Sequence, residues 1–278
     1  MRRVRGGVAA NIAYNMSLLS GHPRIMATVG EDFEEYRAWL EAKGVDTSLM
    51  EVVPDEFTSS FFATTDQDSA QLASFYPGAM RKASEQSLVG LTKKPDLVAI
   101  SPTDPLAMMK FASECRELGI PYLYDPSQQV PRLSGEELAR DINGAHFLFC
   151  NDYEYNLINV KTSLCHERIM ELVKVLVVTR GKDGAYLYTE GREYFIPTIP
   201  EEEIVDPTGV GDAFRGGFIV GYSPGWDWVL CGQVGALSAV YCLECRGPQG
   251  QKYTKEEFIT RFRKHFDDKG KLDELLVR

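Results

Sequence analysis

Apolar residues change their spacing repeatedly along the chain, and those changes outline its elements. Residues 8–20 repeat apolar positions at helical spacing after a Gly-Gly turn, which predicts a helix. Arg24-Ile25-Met26-Ala27-Thr28-Val29-Gly30 reads as a strand, and Phe33 to Lys43 as a helix that stops at Gly44. Thr58 to Thr65 and Gln71 to Tyr76 are two short β-runs joined by the turn-like Asp66-Gln67-Asp68. Four more apolar runs follow: Leu97-Val98-Ala99-Ile100, Tyr122-Leu123-Tyr124, Phe147-Leu148-Phe149 and Val175-Leu176-Val177-Val178, with helical segments between them. Short apolar strands alternating with helices predict an α/β fold with a parallel sheet and crossover helices. Residues 206–222, 226–245 and 254–266 then read as three successive helices. No repeat, low-complexity tract or linker divides the chain, so residues 1–278 are read as a single domain.

Composition narrows the partners. The formal charge of −10 argues against a nucleic-acid or anionic-membrane surface, since both need a basic face. There is no signal peptide and no long apolar stretch, so the expected location is the cytoplasm. Cys242 and Cys245 form a CxxC, but no second pair or nearby histidine completes a zinc set. Buried free thiols are the expectation there.

Candidate chemistry concentrates in Val205-Asp206-Pro207-Thr208-Gly209-Val210-Gly211-Asp212-Ala213-Phe214. Its glycines let the backbone approach an anion, and a helix starts among them. The free N–H groups of that first turn, with the helix dipole behind them, favour negative charge. Asp212 sits where a carboxylate can take the proton of an attacking hydroxyl. Amides at Gly209, Val210 and Gly211 beside such a base suit phosphoryl transfer to an alcohol. The plain alternative is a capped helix after a Gly-rich turn. No GxxxxGK[ST] occurs, and GVGDAF lacks the third glycine of a dinucleotide-binding turn.

Ligands of open α/β sheets gather at the carboxyl ends of strands, where Asp125-Pro126-Ser127-Gln128-Gln129, Asn151-Asp152-Tyr153-Glu154 and Thr179-Arg180-Gly181 fall. A glutamine amide at position 128 or 129 can donate and accept together, which suits the N6/N7 edge of adenine. Phe61 and Phe75 offer faces on which a base can stack. Arg132 lies within reach of a phosphate. The ordinary readings are a solvated Gln pair, core phenylalanines and a surface arginine.

Together these residues resemble the ribokinase-like (PfkB) family of small-molecule kinases. Gly6-Gly7 with Asn11 resembles its early substrate motif, and Asp206 to Asp212 its late phosphate-cradle signature. Asn151-x-x-Glu154 resembles its magnesium-associated NxxE, and Thr179-Arg180-Gly181-Lys182-Asp183-Gly184 its nucleotide-contacting strand and turn. The longer strings, such as Ala73 to Met80 and Asp125 to Gln129, are most similar to the bacterial adenosine kinase branch of mycobacterial type. The resemblance implies a ribokinase-like three-layer α/β/α core, with a mainly parallel sheet and a small β lid near 54–78. It implies transfer of the Mg-ATP γ-phosphoryl group to the 5′-hydroxyl of adenosine, with Asp212 as base. Gly7 and Asn11 would face the ribose, and Asn151, Thr179 and Gly181 the nucleotide. Asn151 and Glu154 would organise Mg²⁺ through waters, and Asp206 and Thr208 would border a monovalent-cation site such as K⁺. Lid pairing in the family implies a homodimer.

Relatives carry, ahead of the Gly-Gly motif, a strand ending in a ribose-binding aspartate and then a lid segment. Here Met1-Arg2-Arg3-Val4-Arg5 leads straight into Gly6-Gly7, so the expected fold lacks that first strand and part of the lid. Three functions therefore stay open: a nucleoside kinase, a sugar kinase acting on a ribose- or fructose-like alcohol, and a truncated, poorly active or non-catalytic nucleoside-binding member.

Overall fold

The computed structural model describes residues 3–65 and 71–277. Helix α1 (Val8–Leu18) leads into strand β1 (Arg24–Val29), helix α2 (Glu34–Glu41) and strand β2 (Asp46–Val52). Strands β3 (Ser60–Thr65) and β4 (Gln71–Tyr76) form an antiparallel pair, and β1 and β2 form a parallel pair of their own. The main sheet takes β5 (Val98–Ile100), β6 (Tyr122–Tyr124), β7 (Phe147–Asn151), β8 (Val175–Thr179), β9 (Ala185–Thr189) and β10 (Arg192–Ile196), neighbours in that order. The connections are α3 (Pro105–Leu118), α4 (Gly135–Ile142), α5 (Asp152–Thr162) and α6 (His166–Leu172). Helices α7 (Val210–Tyr222), α8 (Trp228–Leu243) and α9 (Lys255–Phe262) complete the fold. Pairing from β5 to β8 is parallel, and β8–β9–β10 is antiparallel, so the sheet is mainly parallel as expected.

Successive strand residues point to opposite faces, and this sheet buries both. Leu123, Phe147, Phe149, Val175, Val177 and Leu187 share one core with α7, α8 and α9. Their neighbours Tyr122, Tyr124, Leu148, Cys150, Leu176 and Val178 face a second core with α3, α4 and α6. The result is the three-layer arrangement. A third, smaller core joins α1, α2 and β1.

Helix α7 is central. A Cβ at Gly216 would meet the Asn15 side chain of α1 at 2.7 Å, and one at Gly217 the Ser238 side chain of α8 at 2.4 Å. The small residues let α7 pack tightly between α1 and α8, which fixes where its N-terminus lies.

Two features depart from the sequence expectation. The helix expected from residue 206 begins at Val210, because Pro207 and a left-handed Gly209 (φ 82°) hold 206–209 as a turn. Strands β2, β9 and β10 carry weak signals: β2 contains Asp, Thr, Ser and Glu, and β10 lies at a sheet edge with mostly exposed or half-buried residues. Among the described residues no strand precedes α1. The turn expected at Asp66-Gln67-Asp68 lies outside the described residues. Cys115, Cys150, Cys231 and Cys242 are buried free thiols, whereas Cys245 is half-buried and Cys165 exposed. No helix among the described residues is long and apolar enough to cross a membrane.

Candidate active site at the start of α7

Gly209 caps α7 with left-handed φ and ψ of 82° and 2°. A Cβ there would lie 2.3 Å from the Cβ of Pro248, so shape as well as conformation calls for glycine. The intrahelical ladder starts with the Ala213 amide donating to the Gly209 carbonyl at 2.9 Å. The amides just before it stand at the positive end of the helix dipole, as an anion cradle requires. The turn is pinned at Asp206, whose carboxylate accepts from the Thr208 amide at 2.9 Å and the Gly247 amide at 3.0 Å. These bonds hold the Asp206 carboxyl below the usual carboxylate range against the opposing effect of its burial.

Asp212 is one helical residue beyond the cradle. Its Oδ2 accepts from the Asn11 side-chain amide at 2.8 Å, across 201 positions of sequence. Desolvation pushes the Asp212 carboxyl above its ordinary value, while the Arg215 charge and the Asn11 hydrogen bond pull it back. A partly desolvated, aimed carboxylate is suited to accept a proton.

Sequence reasoning missed Arg215. It lies one turn after Asp212, where its side chain is buried against the fully buried Asp125 at the end of β6. Both contacts are 2.7 Å, Nη2 to Oδ1 and Nε to Oδ2. The guanidinium also lies 5.8 Å from the centre of the Phe149 ring. Burial drives the Asp125 carboxyl upward, and this two-point contact favours its ionised form. An arginine inside the apolar run of a helix was the available signal, because such a charge needs a buried partner.

The other expected site residues fall into two groups. Asn151 ends β7 directly beside Thr179 at the end of β8, so these two are brought together at the sheet's carboxyl edge. Asn151 also caps α5: its Oδ1 accepts from the Glu154 amide at 2.7 Å, and Glu154 Oε2 accepts from the Asn151 amide at 2.9 Å. The Asn151 and Glu154 side chains are thus held by each other's backbone. Gly7 caps α1, and its carbonyl accepts from the Asn11 amide at 2.8 Å. Gly181 opens a short turn after β8, exposed and with open space around it.

At the base pocket the Gln129 reading needs correction, and the plain core alternative for the two phenylalanines falls away. The Gln129 Nε2 donates to the Thr103 carbonyl at 2.7 Å, which leaves only its buried, unpartnered Oε1 for a ligand. Gln129 therefore offers an acceptor alone rather than the two-way amide expected, and Gln128 beside it is exposed. Phe61 and Phe75 are not core residues: they are 67% and 43% exposed and face each other in register across β3 and β4. Arg132 is exposed.

The pattern of the pfkB family carbohydrate kinases matches residues 1–255. The chain belongs to that family. It is similar to a nucleoside kinase of Methanocaldococcus jannaschii, 31% identical over 95% of this chain and 87% of the relative. A nucleoside kinase of Methanothermobacter thermautotrophicus is 34% identical over 94% of this chain and 85% of its own. The solved nucleoside kinase of Burkholderia thailandensis in complex with inosine superposes with a TM-score of 0.90 at 35% identity, covering 96% and 87% of the two chains. The ribokinase-like α/β fold and pfkB membership are thus established. Among the described residues of this pfkB-family chain, no cluster of three His, Cys, Asp or Glu is placed to hold a metal.

Proposed function

We propose that this pfkB-family enzyme is an ATP-dependent nucleoside kinase that phosphorylates the 5′-hydroxyl of adenosine. The observation that carries the reading is the Asp212 carboxylate, held by Asn11 beside the Gly209-Val210-Gly211 amides at the start of α7. Asp212 takes the 5′-hydroxyl proton as that oxygen bonds to the γ-phosphorus. The bond from phosphorus to the ADP oxygen breaks, ADP leaves, and the amides stabilise charge on the transferred oxygens. Bound Mg²⁺ would neutralise phosphate charge, with Glu154 and Asn151 near its waters. The pinned turn at Asp206 and Thr208 is where a monovalent cation such as K⁺ would sit, mostly on backbone carbonyls.

A nucleoside rather than a free sugar is favoured by the facing, solvent-exposed Phe61 and Phe75, since a sugar offers no aromatic face to stack. The inosine bound by the Burkholderia thailandensis relative supports a purine nucleoside. The test is ADP formation from Mg-ATP with adenosine, inosine, cytidine and ribose in parallel. The highest kcat/KM is expected with adenosine. A higher value with inosine or cytidine would replace the base assignment, and a preference for ribose would move the enzyme to the sugar kinases.

A further inference from the structure

We infer that Gln249 is a positioning residue that fixes which way round Asn11 presents its amide to Asp212. The inference rests on the proposed role of Asp212 as the base. An asparagine amide has a donor end and an acceptor end, and packing alone scarcely distinguishes them. Gln249 makes the distinction here. Its Nε2 donates to Asn11 Oδ1 at 2.8 Å, which turns Asn11 Nδ2 toward Asp212 Oδ2, also at 2.8 Å. The reverse orientation would set two NH₂ groups against each other and a carbonyl oxygen against a carboxylate.

Gln249 has the same ambiguity, and Tyr36 resolves it. The Tyr36 hydroxyl donates to the Gly6 carbonyl at 3.0 Å, a group that can only accept. Its oxygen is left to accept, and Gln249 Nε2 donates to it at 2.5 Å. The donors thus run outward from the Gln249 amide nitrogen in both directions, through Tyr36 to the Gly6 carbonyl and through Asn11 to the Asp212 carboxylate, and each end of the network is a group that accepts. Gln249 is buried, and its Oε1 has no partner, so the two donor bonds alone set its orientation.

A second rung holds the loop in place. Gln251 Nε2 donates to Asn15 Oδ1 at 2.8 Å, and Asn15 Nδ2 donates to the Asn11 carbonyl at 2.9 Å. The Tyr14 hydroxyl donates to the Gln251 carbonyl at 2.6 Å. Glutamines two apart on the loop after α8 therefore grip asparagines four apart on α1, one helical turn. The same loop packs Pro248 against Gly209 and ties Gly247 to Asp206. Anion cradle, base and α1 are joined through residues 247–251.

The test is kcat and both KM values for Gln249→Met, Asn11→Ala and the double variant, with Asp212→Asn alongside. Gln249→Met is expected to lower kcat roughly tenfold or more with an unchanged ATP KM, as for loss of an oriented bond to a charged group. In the Asn11→Ala background the same change is expected to cost less than about twofold, because its route is already cut. Equal factors in both backgrounds would overturn the inference. Gln249→Glu keeps the size but not the donor protons, so it should reproduce the loss; wild-type kcat in that variant would also overturn it. The control separates the two ideas. Turnover retained by Asp212→Asn removes the base itself, and the positioning role with it. Turnover lost there, with independent Gln249 and Asn11 factors, removes only the coupling.

Discussion

The start of α7 and the β3–β4 hairpin, the two parts of the proposed site, are built in contrasting ways. At α7, polar groups find partners inside the protein: Asp212 with Asn11, Arg215 with Asp125, Asp206 with two backbone amides. On the hairpin, Phe61, Phe62, Phe75 and Tyr76 are 36–67% exposed, and the Tyr76 hydroxyl donates to a surface glutamate, Glu56, at 3.2 Å. Proton and phosphoryl transfer need geometry that is fixed before substrate arrives, so their groups are held by one another. A surface that takes up a ligand is built differently. Its apolar area stays in water until the partner covers it, and a two-stranded hairpin is marginal alone. The first region is therefore sensitive to stability, and the second to affinity.

Arg215→Met would break this contrast most severely. It strands the buried Asp125 carboxylate, and a loss of about 3–5 kcal/mol is expected, read as a fall in denaturation midpoint. Adding Asp125→Leu should recover part of that loss, since two apolar groups replace the pair. No recovery would mean that Arg215 acts through packing on Phe149 instead. Phe75→Ala and Phe61→Ala should each leave the midpoint within about 0.5 kcal/mol, as exposed sites do. Each should weaken nucleoside KM by about 1–3 kcal/mol of stacking, with ATP KM unchanged. An unchanged nucleoside KM would remove both rings from the base pocket. The mildest test is the acid limb of kcat. Asp212 must be ionised to take a proton, and desolvation raises its pKa, so rate is full above that raised value and lost below it. The midpoint should lie above the ordinary aspartate value of about 3.9. A lower midpoint would show that Arg215 and Asn11 outweigh burial.

Much of the architecture was legible because strands buried on both faces have to be apolar throughout, as Phe147–Cys150 and Val175–Val178 are. β2 and β10 were not legible, because strands exposed on one side or at an edge carry polar residues. The Gly209–Asp212 turn was readable because its chemistry is local: glycines, an amide-rich turn and one carboxylate lie together in sequence. Arg215 and Gln249 act through partners 90 and 238 positions away, which no local pattern encodes. Gln129 was misjudged for a related reason, since the Thr103 carbonyl that occupies its amide is 26 residues distant.

The most direct measurement compares adenosine-dependent ADP formation by the native chain and by Asp212→Asn, with folding and ATP binding checked in both. The account predicts that Asp212→Asn folds and binds ATP normally while turning over at least roughly 10²-fold more slowly, the loss expected for a general base. Near-native turnover by that variant would contradict it.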